Sequence, residues 1–481
     1  MHSFPKKKKG SGRARGGEGT VFESGCCETG IAYAIGEKMR SGSLKGAIFT
    51  MIIATVGGGM LSLAYGVKQI GLIPGLVLLA FSCVLSYFTN DLLLIVADNM
   101  PEGVEITFLT ISNECDVSWG PKLAVFTQLT LIVQMFGAFI SYLVAFGGLL
   151  DLVWRVTVNN TEVYAYVVAG AALLIIFPLS LLPNLGALRY TSFLGISCSL
   201  YLGVLIMAEY FVLCDGHEHD LDGNSIRSCF WLQNFNLPKK AFFNYTDMWS
   251  FVKSFLLCFP LFVFAYTAQQ FMLPIYTELQ RKSRIRMKKV LRRSSYVVFF
   301  IYACASTFGF LTFSDGVCSN ILLNDFKKSP GAITAAISIS VSMILTEPII
   351  THTWRSGLVT LLWNKKPIKM SKFKHTSFTF AFVFLGMLVA LFVTDIGVVF
   401  GVLGATTYPL FGFILPGTFF YKIVPADEYP VRRKLAVIQA VLVGIISLSS
   451  LVYQIYQMID PEGNSTKCNN MQDIKTPNFF K

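Results

Sequence analysis

The chain has 481 residues, 53% of them hydrophobic and only 14% charged, with a mean hydropathy of +0.57. Soluble domains carry about 25% charged residues, so the composition excludes an ordinary soluble enzyme and points to an integral membrane protein. A net charge of +12 would suggest nucleic acid in a soluble chain; here it reads as basic residues gathered on one membrane face, and no nucleic-acid partner is expected.

Residues 1–43 form a polar tail opened by Lys6-Lys7-Lys8-Lys9. Its low-complexity composition predicts disorder, and its basic cluster suits an anionic cytoplasmic leaflet. Residues 44–457 are read as a transmembrane domain and 458–481 as an extracytoplasmic tail. Apolar runs of about 20 residues, enough to cross a ~30 Å hydrocarbon core, predict eleven transmembrane helices. They fall at 44–67, 71–97, 120–150, 163–182, 192–213, 248–277, 294–314, 331–353, 376–394, 398–421 and 434–457. The ninth and tenth are divided at the polar break Thr394-Asp395. The tail before the first run has no signal-peptide core, so that run is expected to direct insertion.

Orientation follows from the basic residues. With the N-terminus in the cytoplasm, most of the 40 Lys and Arg residues lie inside, the densest clusters at 281–293 and 355–374. Glycosylation acceptor triplets at Asn159, Asn244 and Asn464 all fall outside in this topology. The eleven cysteines form no CxxC pair, so no metal site is expected. Cys83, Cys198, Cys258 and Cys304 lie in apolar runs as buried thiols. Cys214, Cys229 and Cys318 lie on the outer side, where a disulfide can form; Cys229 is able to pair with Cys214 or with Cys318.

Two spans are interrupted. The first contains Gly57-Gly58-Gly59, and the sixth carries Pro260, Pro274 and the polar stretch Tyr266-Thr267-Ala268-Gln269-Gln270. Each glycine costs a helix about 1 kcal/mol relative to alanine, and proline removes a backbone hydrogen bond. Close packing through small residues and a plain proline kink would explain either break alone. Interrupted segments at corresponding positions of two halves instead point to a transporter site. Half-helix N-termini offer unpaired N–H groups to a carboxylate, and the freed carbonyls suit an ammonium or a bound cation. A zwitterionic amino acid carries both groups.

The flanking motifs resemble a known family. The stretch 273–279, reading LPIYTEL, and the basic run ending Arg286-Met287 are similar to the end of the sixth helix of the amino acid/auxin permease family. The sodium-coupled neutral amino acid transporter branch is closest. Phe400-Gly401-Val402-Leu403-Gly404-Ala405-Thr406-Thr407 with 413–416, FILP, resembles that branch's tenth helix. Gly57-x-Gly59-x-Leu61-x-Leu63-x-Tyr65 resembles its first, and Pro348 with Arg355 its eighth. The resemblance implies an all-α LeuT-type fold, with helices 1–5 and 6–10 as inverted repeats plus an eleventh. It implies a monomer that carries amino acids by alternating access without an enzymatic cofactor. Substrate contacts then fall on Gly57, Gly58, Gly59, Phe264, Ala265, Tyr266 and Thr267, and ion coupling on Thr55 and Thr346.

Two positions depart from the branch. Ile53 stands where sodium-coupled members usually have asparagine, and Glu347 precedes Pro348 where the branch has an apolar residue. An intramembrane carboxylate is by default a functional candidate, so Glu347 joins the ion-coupling set, with H+ or Na+ as the coupling ion. The alternative is a structural pair of Glu347 with His352 or Arg355. Gln128, Gln134 and Ser141 are read as pathway or helix-bridging groups, Asp91 and Asp98 as solvated interfacial residues. An amino acid sensor with little transport is the main rival. The HExxH, GxSxG and P-loop signatures of enzymes are absent. The address is a plasma membrane or a lysosome- or vacuole-like membrane.

Overall fold

A computed structural model describes residues 43–101, 106–119, 122–158, 163–181, 189–215, 242–245, 247–313, 316–324, 330–363 and 371–459. The basic tail, the 458–481 tail beyond Ile459, Asn159, Asn464 and Cys229 lie outside the described residues, as do the side chains of Ile53 and Cys214.

The described residues are helical, with no strand among them. In chain order the helices are α1 (Leu44–Thr55), α2 (Met60–Ile70), α3 (Leu72–Asp98), α4 (Phe108–Trp119) and α5 (Lys122–Thr157). There follow α6 (Tyr164–Gly170), α7 (Phe177–Ser180), α8 (Arg189–Asp215), α9 (Met248–Tyr266), α10 (Gln269–Glu278) and α11 (Arg284–Phe313). The last six are α12 (Pro330–Trp363), α13 (Lys372–Phe392), α14 (Ile396–Ala405), α15 (Thr407–Pro409), α16 (Leu415–Ile423) and α17 (Pro430–Ile459).

Every apolar run expected to span is helical. Seven stretches of the described residues are long and apolar enough to cross a membrane by themselves, and the bent pair at Thr406 makes an eighth. The others are interrupted, as in α1–α2, or have shorter apolar parts, Tyr164–Ser180 and Ser197–Phe211. The division at Thr394-Asp395 holds: Asp395 caps α14 by accepting from the Gly397 N–H at 2.7 Å. The tenth run is not one straight helix. It bends by 41° at Thr406, then passes through a π-helical turn at Leu410–Ile414. Another π turn, Ala171–Ile176, joins α6 to α7. Bulges of this kind often mark functional helices.

Helix α4 has no counterpart among the expected spans. Its twelve residues, FLTISNECDVSW, are too short and too polar to cross a bilayer. The fold holds it by burying Phe108, Ile111 and Cys115, and Phe108 stacks on Phe411 at 4.1 Å. The centre of the molecule is built on α9 and α11. Helix α9 packs between α2 and α14, while α11 packs against α1, α2, α3 and α8.

Asp91 is held within the protein, while Asp98 is exposed. The Asp91 carboxylate, 9% exposed, makes 3.0 Å ion pairs with Lys288 of α11 and Arg432 of α17. Asp98 accepts the hydroxyl proton of Tyr276. Asp98 is exposed, as the solvated interfacial reading expects, whereas Asp91 is buried, because packing brings two cations to it.

Candidate functional site

Both expected breaks are present, and they face each other. Helix α1 ends at Thr55, and α2 begins at Met60 with turn-type bonds from Met60, Leu61 and Ser62 to the Gly57, Gly58 and Gly59 carbonyls. Helix α9 ends at Tyr266, and α10 begins at Gln269.

The three glycines do different work. A Cβ on Gly59 would lie 2.8 Å from the Cα of Ala265, so the chain there needs glycine for α2 and α9 to touch. A Cβ on Gly58 would make ordinary contacts at 3.5 Å to Tyr142 and 3.7 Å to Met343 and Phe400. At Gly57 it would meet nothing within 4 Å. Packing therefore explains Gly59, while Gly57 borders open space.

That space is a cavity of about 1150 Å³. Thr55, Val56 and the three glycines line it from the first break, and Phe264, Ala265 and Thr267 from the second. Tyr142, Met343, Thr346 and Tyr408 complete the central wall. Phe264 anchors the apolar side, stacked on Phe400 at 4.2 Å and tilted against Tyr408 at 4.6 Å. The volume exceeds the ~300–1,000 Å³ of an ordinary ligand pocket because the cavity continues outward. It runs past Phe49 and Thr50 of α1, Phe108 of α4, Gln128 of α5, Glu278 of α10 and Thr360 of α12. The opposite end is closed. Leu63, Ala64, Val67 and Ile70 of α2 are buried, Lys68 donates to the Val317 carbonyl at 3.1 Å, and Asn244 donates to the Lys68 carbonyl at 2.9 Å.

Helix ends leave backbone groups that need partners, and these two breaks meet the need differently. The four last carbonyls of α9 are covered. Val263 accepts from the Thr267 hydroxyl, Phe264 from the Thr267 N–H, Ala265 from Tyr302, and Tyr266 from Ser86 and the Ala268 N–H. At the first break the Ala54 and Val56 carbonyls accept nothing among the described residues, and the Gly58 and Gly59 N–H groups donate to nothing. Unpaired N–H groups occur at the start of both second half-helices, since Gln269 and Gln270 of α10 also donate to nothing among the described residues; it is the end of α1, unlike that of α9, that keeps free carbonyls in its last turn. The free groups of the first break suit an anion at the α2 N-terminus and a cation at the α1 C-terminus.

The remaining site residues divide. Thr55 and Thr346 line the cavity, each hydroxyl donating within its own helix, to the Met51 and Ser342 carbonyls at 2.9 and 2.8 Å. The Tyr266 ring turns away into the packing, edge-on to Tyr302 at 5.2 Å. Glu347 is buried behind the wall, 1% exposed, and neither carboxylate oxygen has a hydrogen-bond partner among the described residues. The structural pair weighed for it is not made with Arg355, which donates to the Thr379 hydroxyl at 2.8 Å and the Ser180 carbonyl at 3.3 Å. Gln128 lines the cavity. Gln134 is fully buried, and Ser141 donates to the Ala138 carbonyl. Cys318 is disulfide-bonded. Asn244 is half-buried.

Two contributors escaped the sequence reading. Tyr302 reaches both breaks from α11, donating toward the Thr55 carbonyl at 2.6 Å and the Ala265 carbonyl at 3.0 Å. Ser86 of α3 donates to the Tyr266 carbonyl at 2.9 Å and accepts from Gln269 at 3.3 Å. A tyrosine and a serine inside apolar runs carry no motif; only their being polar in lipid marked them.

Comparison with known proteins bears on this arrangement. A family model described as transmembrane amino acid transporter protein matches residues 40–460. Among solved structures, Mhp1 in an inward-facing conformation is similar over 87% of this chain and 90% of its own, at 12% identity and a TM-score of 0.52. A mutant of the Eremococcus coleocola manganese transporter is similar over 90% of each chain, at 12% identity and a TM-score of 0.53. Such identities show the fold alone, which is the LeuT-type transporter fold.

Proposed function

Because the chain belongs to the transmembrane amino acid transporter family, a multi-pass secondary transporter rather than an enzyme, we propose that it carries neutral amino acids by alternating access, with a proton as the coupling ion. The observation that carries the substrate reading is the pairing of the two breaks across one cavity. The unpaired Gly58 and Gly59 N–H groups receive the α-carboxylate, and the Ala54 and Val56 carbonyls receive the ammonium. The side chain then meets Phe264, Tyr408 and Met343, an apolar wall. Neutral side chains fit because no carboxylate lies among these wall residues: Asp91 is held by Lys288 and Arg432, and Glu278 stands at the far end of the cavity.

Glu347 supports the proton. A buried charge without a partner is costly, so this packing accommodates its neutral, protonated form, and ionisation requires a rearrangement that transport can supply. Sodium coupling is the second reading, favoured by the oxygens of Thr55 and Thr346 at the cavity wall. The cavity opens on the side where α1 starts, which the basic residues assign to the cytoplasm; this state is inward-open.

Reconstituted vesicles with sodium and pH gradients imposed separately, and a competition panel of amino acids, test all of this. Accumulation of neutral amino acids is expected with an inward proton gradient and no sodium. Glu347→Gln is expected to abolish gradient-driven accumulation while leaving exchange of amino acid across the membrane. Strict sodium dependence would replace the proton reading with the second one.

A further inference from the structure

Tyr302 is fully buried on α11, away from the cavity wall, yet its hydroxyl meets the carbonyl ends of both interrupted helices. The Thr55 carbonyl is the last of α1, and the Ala265 carbonyl lies one residue before the end of α9. Helix C-termini carry partial negative charge, and these two oxygens repel each other where the site needs them close. One hydroxyl proton lies between them, at oxygen–oxygen separations of 2.6 and 3.0 Å. The Tyr302 ring is fixed by Tyr266 on one side, and Gly59 at the start of α2 packs against Ala265, the residue whose carbonyl Tyr302 reaches.

We propose that Tyr302 is a positioning residue for transport: its single shared proton holds the α1 and α9 carbonyl ends together, setting the spacing of the two halves of the substrate site. A pair of carbonyl oxygens at helix C-termini is also what a metal cation coordinates in broken-helix transporters. Tyr302 fills that role with a fixed donor, so assembly of this part of the site requires no bound metal cation. The inference rests on the substrate reading above for its functional consequence, but its geometric content stands by itself.

The test is Tyr302→Phe, which removes only the hydroxyl and keeps the ring against Tyr266. In purified protein in nanodiscs, hydrogen exchange is expected to quicken about fivefold, the worth of one ordinary hydrogen bond, in peptides covering 54–60 and 264–268. Exchange in the rest of α11 should stay at the wild-type rate. In vesicles, KM for the amino acid should rise by a similar factor with maximal velocity retained, and millimolar sodium or lithium should bring KM back towards wild type by occupying the vacated oxygens. A global loss of protection, unchanged exchange at both breaks, or a fall in velocity at constant KM would each overturn the proposal. If the wild-type protein carries none of the amino acids in the panel, the substrate reading fails and the exchange measurement still decides the role of Tyr302.

Discussion

Gly57 and Gly59 are two residues apart and answer to different physics. Gly59 is required by contact: a methyl group there would press on the backbone of Ala265 at 2.8 Å, and neither helix has a flexible side chain that can yield. Gly59→Ala is expected to cost about 1–3 kcal/mol through overpacking, read as a lower melting temperature in detergent and reduced abundance in membranes. Gly57→Ala meets no such barrier, since nothing lies within 4 Å. Its methyl group projects instead into the space where substrate would sit beside the Gly58 N–H. Normal abundance with KM raised about tenfold is expected, the worth of one blocked charge-assisted hydrogen bond. Equal effects of the two substitutions on abundance would contradict this division of roles. The GGG run was legible as an interruption; which glycine served packing and which bordered the cavity depended on where α9 came to lie.

At the scale of elements, three helices from distant parts of the chain are pinned by one carboxylate. Asp91 of α3 is 9% exposed and bridges Lys288 of α11 and Arg432 of α17, which are 34% and 32% exposed. Removing the charge leaves two cations that water can partly solvate, so the penalty falls between those of surface and buried pairs. Asp91→Asn is expected to cost about 1–2 kcal/mol, with a melting temperature that falls by less in high salt than in low salt, because wild type loses part of the same attraction to screening. An unchanged melting temperature at both ionic strengths would show that the network contributes little. The bend at Thr406 belongs to this scale too. The run 398–421 has the length and apolarity of a span; Pro409 withholds the N–H that the Ala405 carbonyl would take in a straight helix, and packing of α14 on α9 and of the π turn beside Thr267 fixes the bent course.

For the whole molecule, the cavity continues to one face and is sealed at the other by α2, Val317 and Asn244. Single cysteines in place of Thr50 and Thr360 are expected to react with a membrane-impermeant thiol reagent only from the side that carries the N-terminus. Substrate is expected to slow the reaction if it draws the protein towards the opposite-facing state. Reaction from the other face alone would invert the assigned orientation.

The amino-acid sequence by itself determined the membrane class, the positions of the apolar helices and the two interruptions, because apolar length and backbone-breaking residues are local properties that lipid enforces on each segment. It also exposed Glu347, since a carboxylate within an apolar run is conspicuous without any neighbour. Only the tertiary structure decided what faced the cavity. Tyr266, inside the expected substrate stretch, turned into the packing, while Tyr408 and Met343 from other helices came to the wall. It left Glu347 without Arg355 and brought Tyr302 to two carbonyls far away in the chain. A helix shows a different residue on its surface every 100° or so, and which of them meets the site is set by how neighbouring helices rotate and cross. That is a property of the assembled bundle, and no single stretch of the chain contains it.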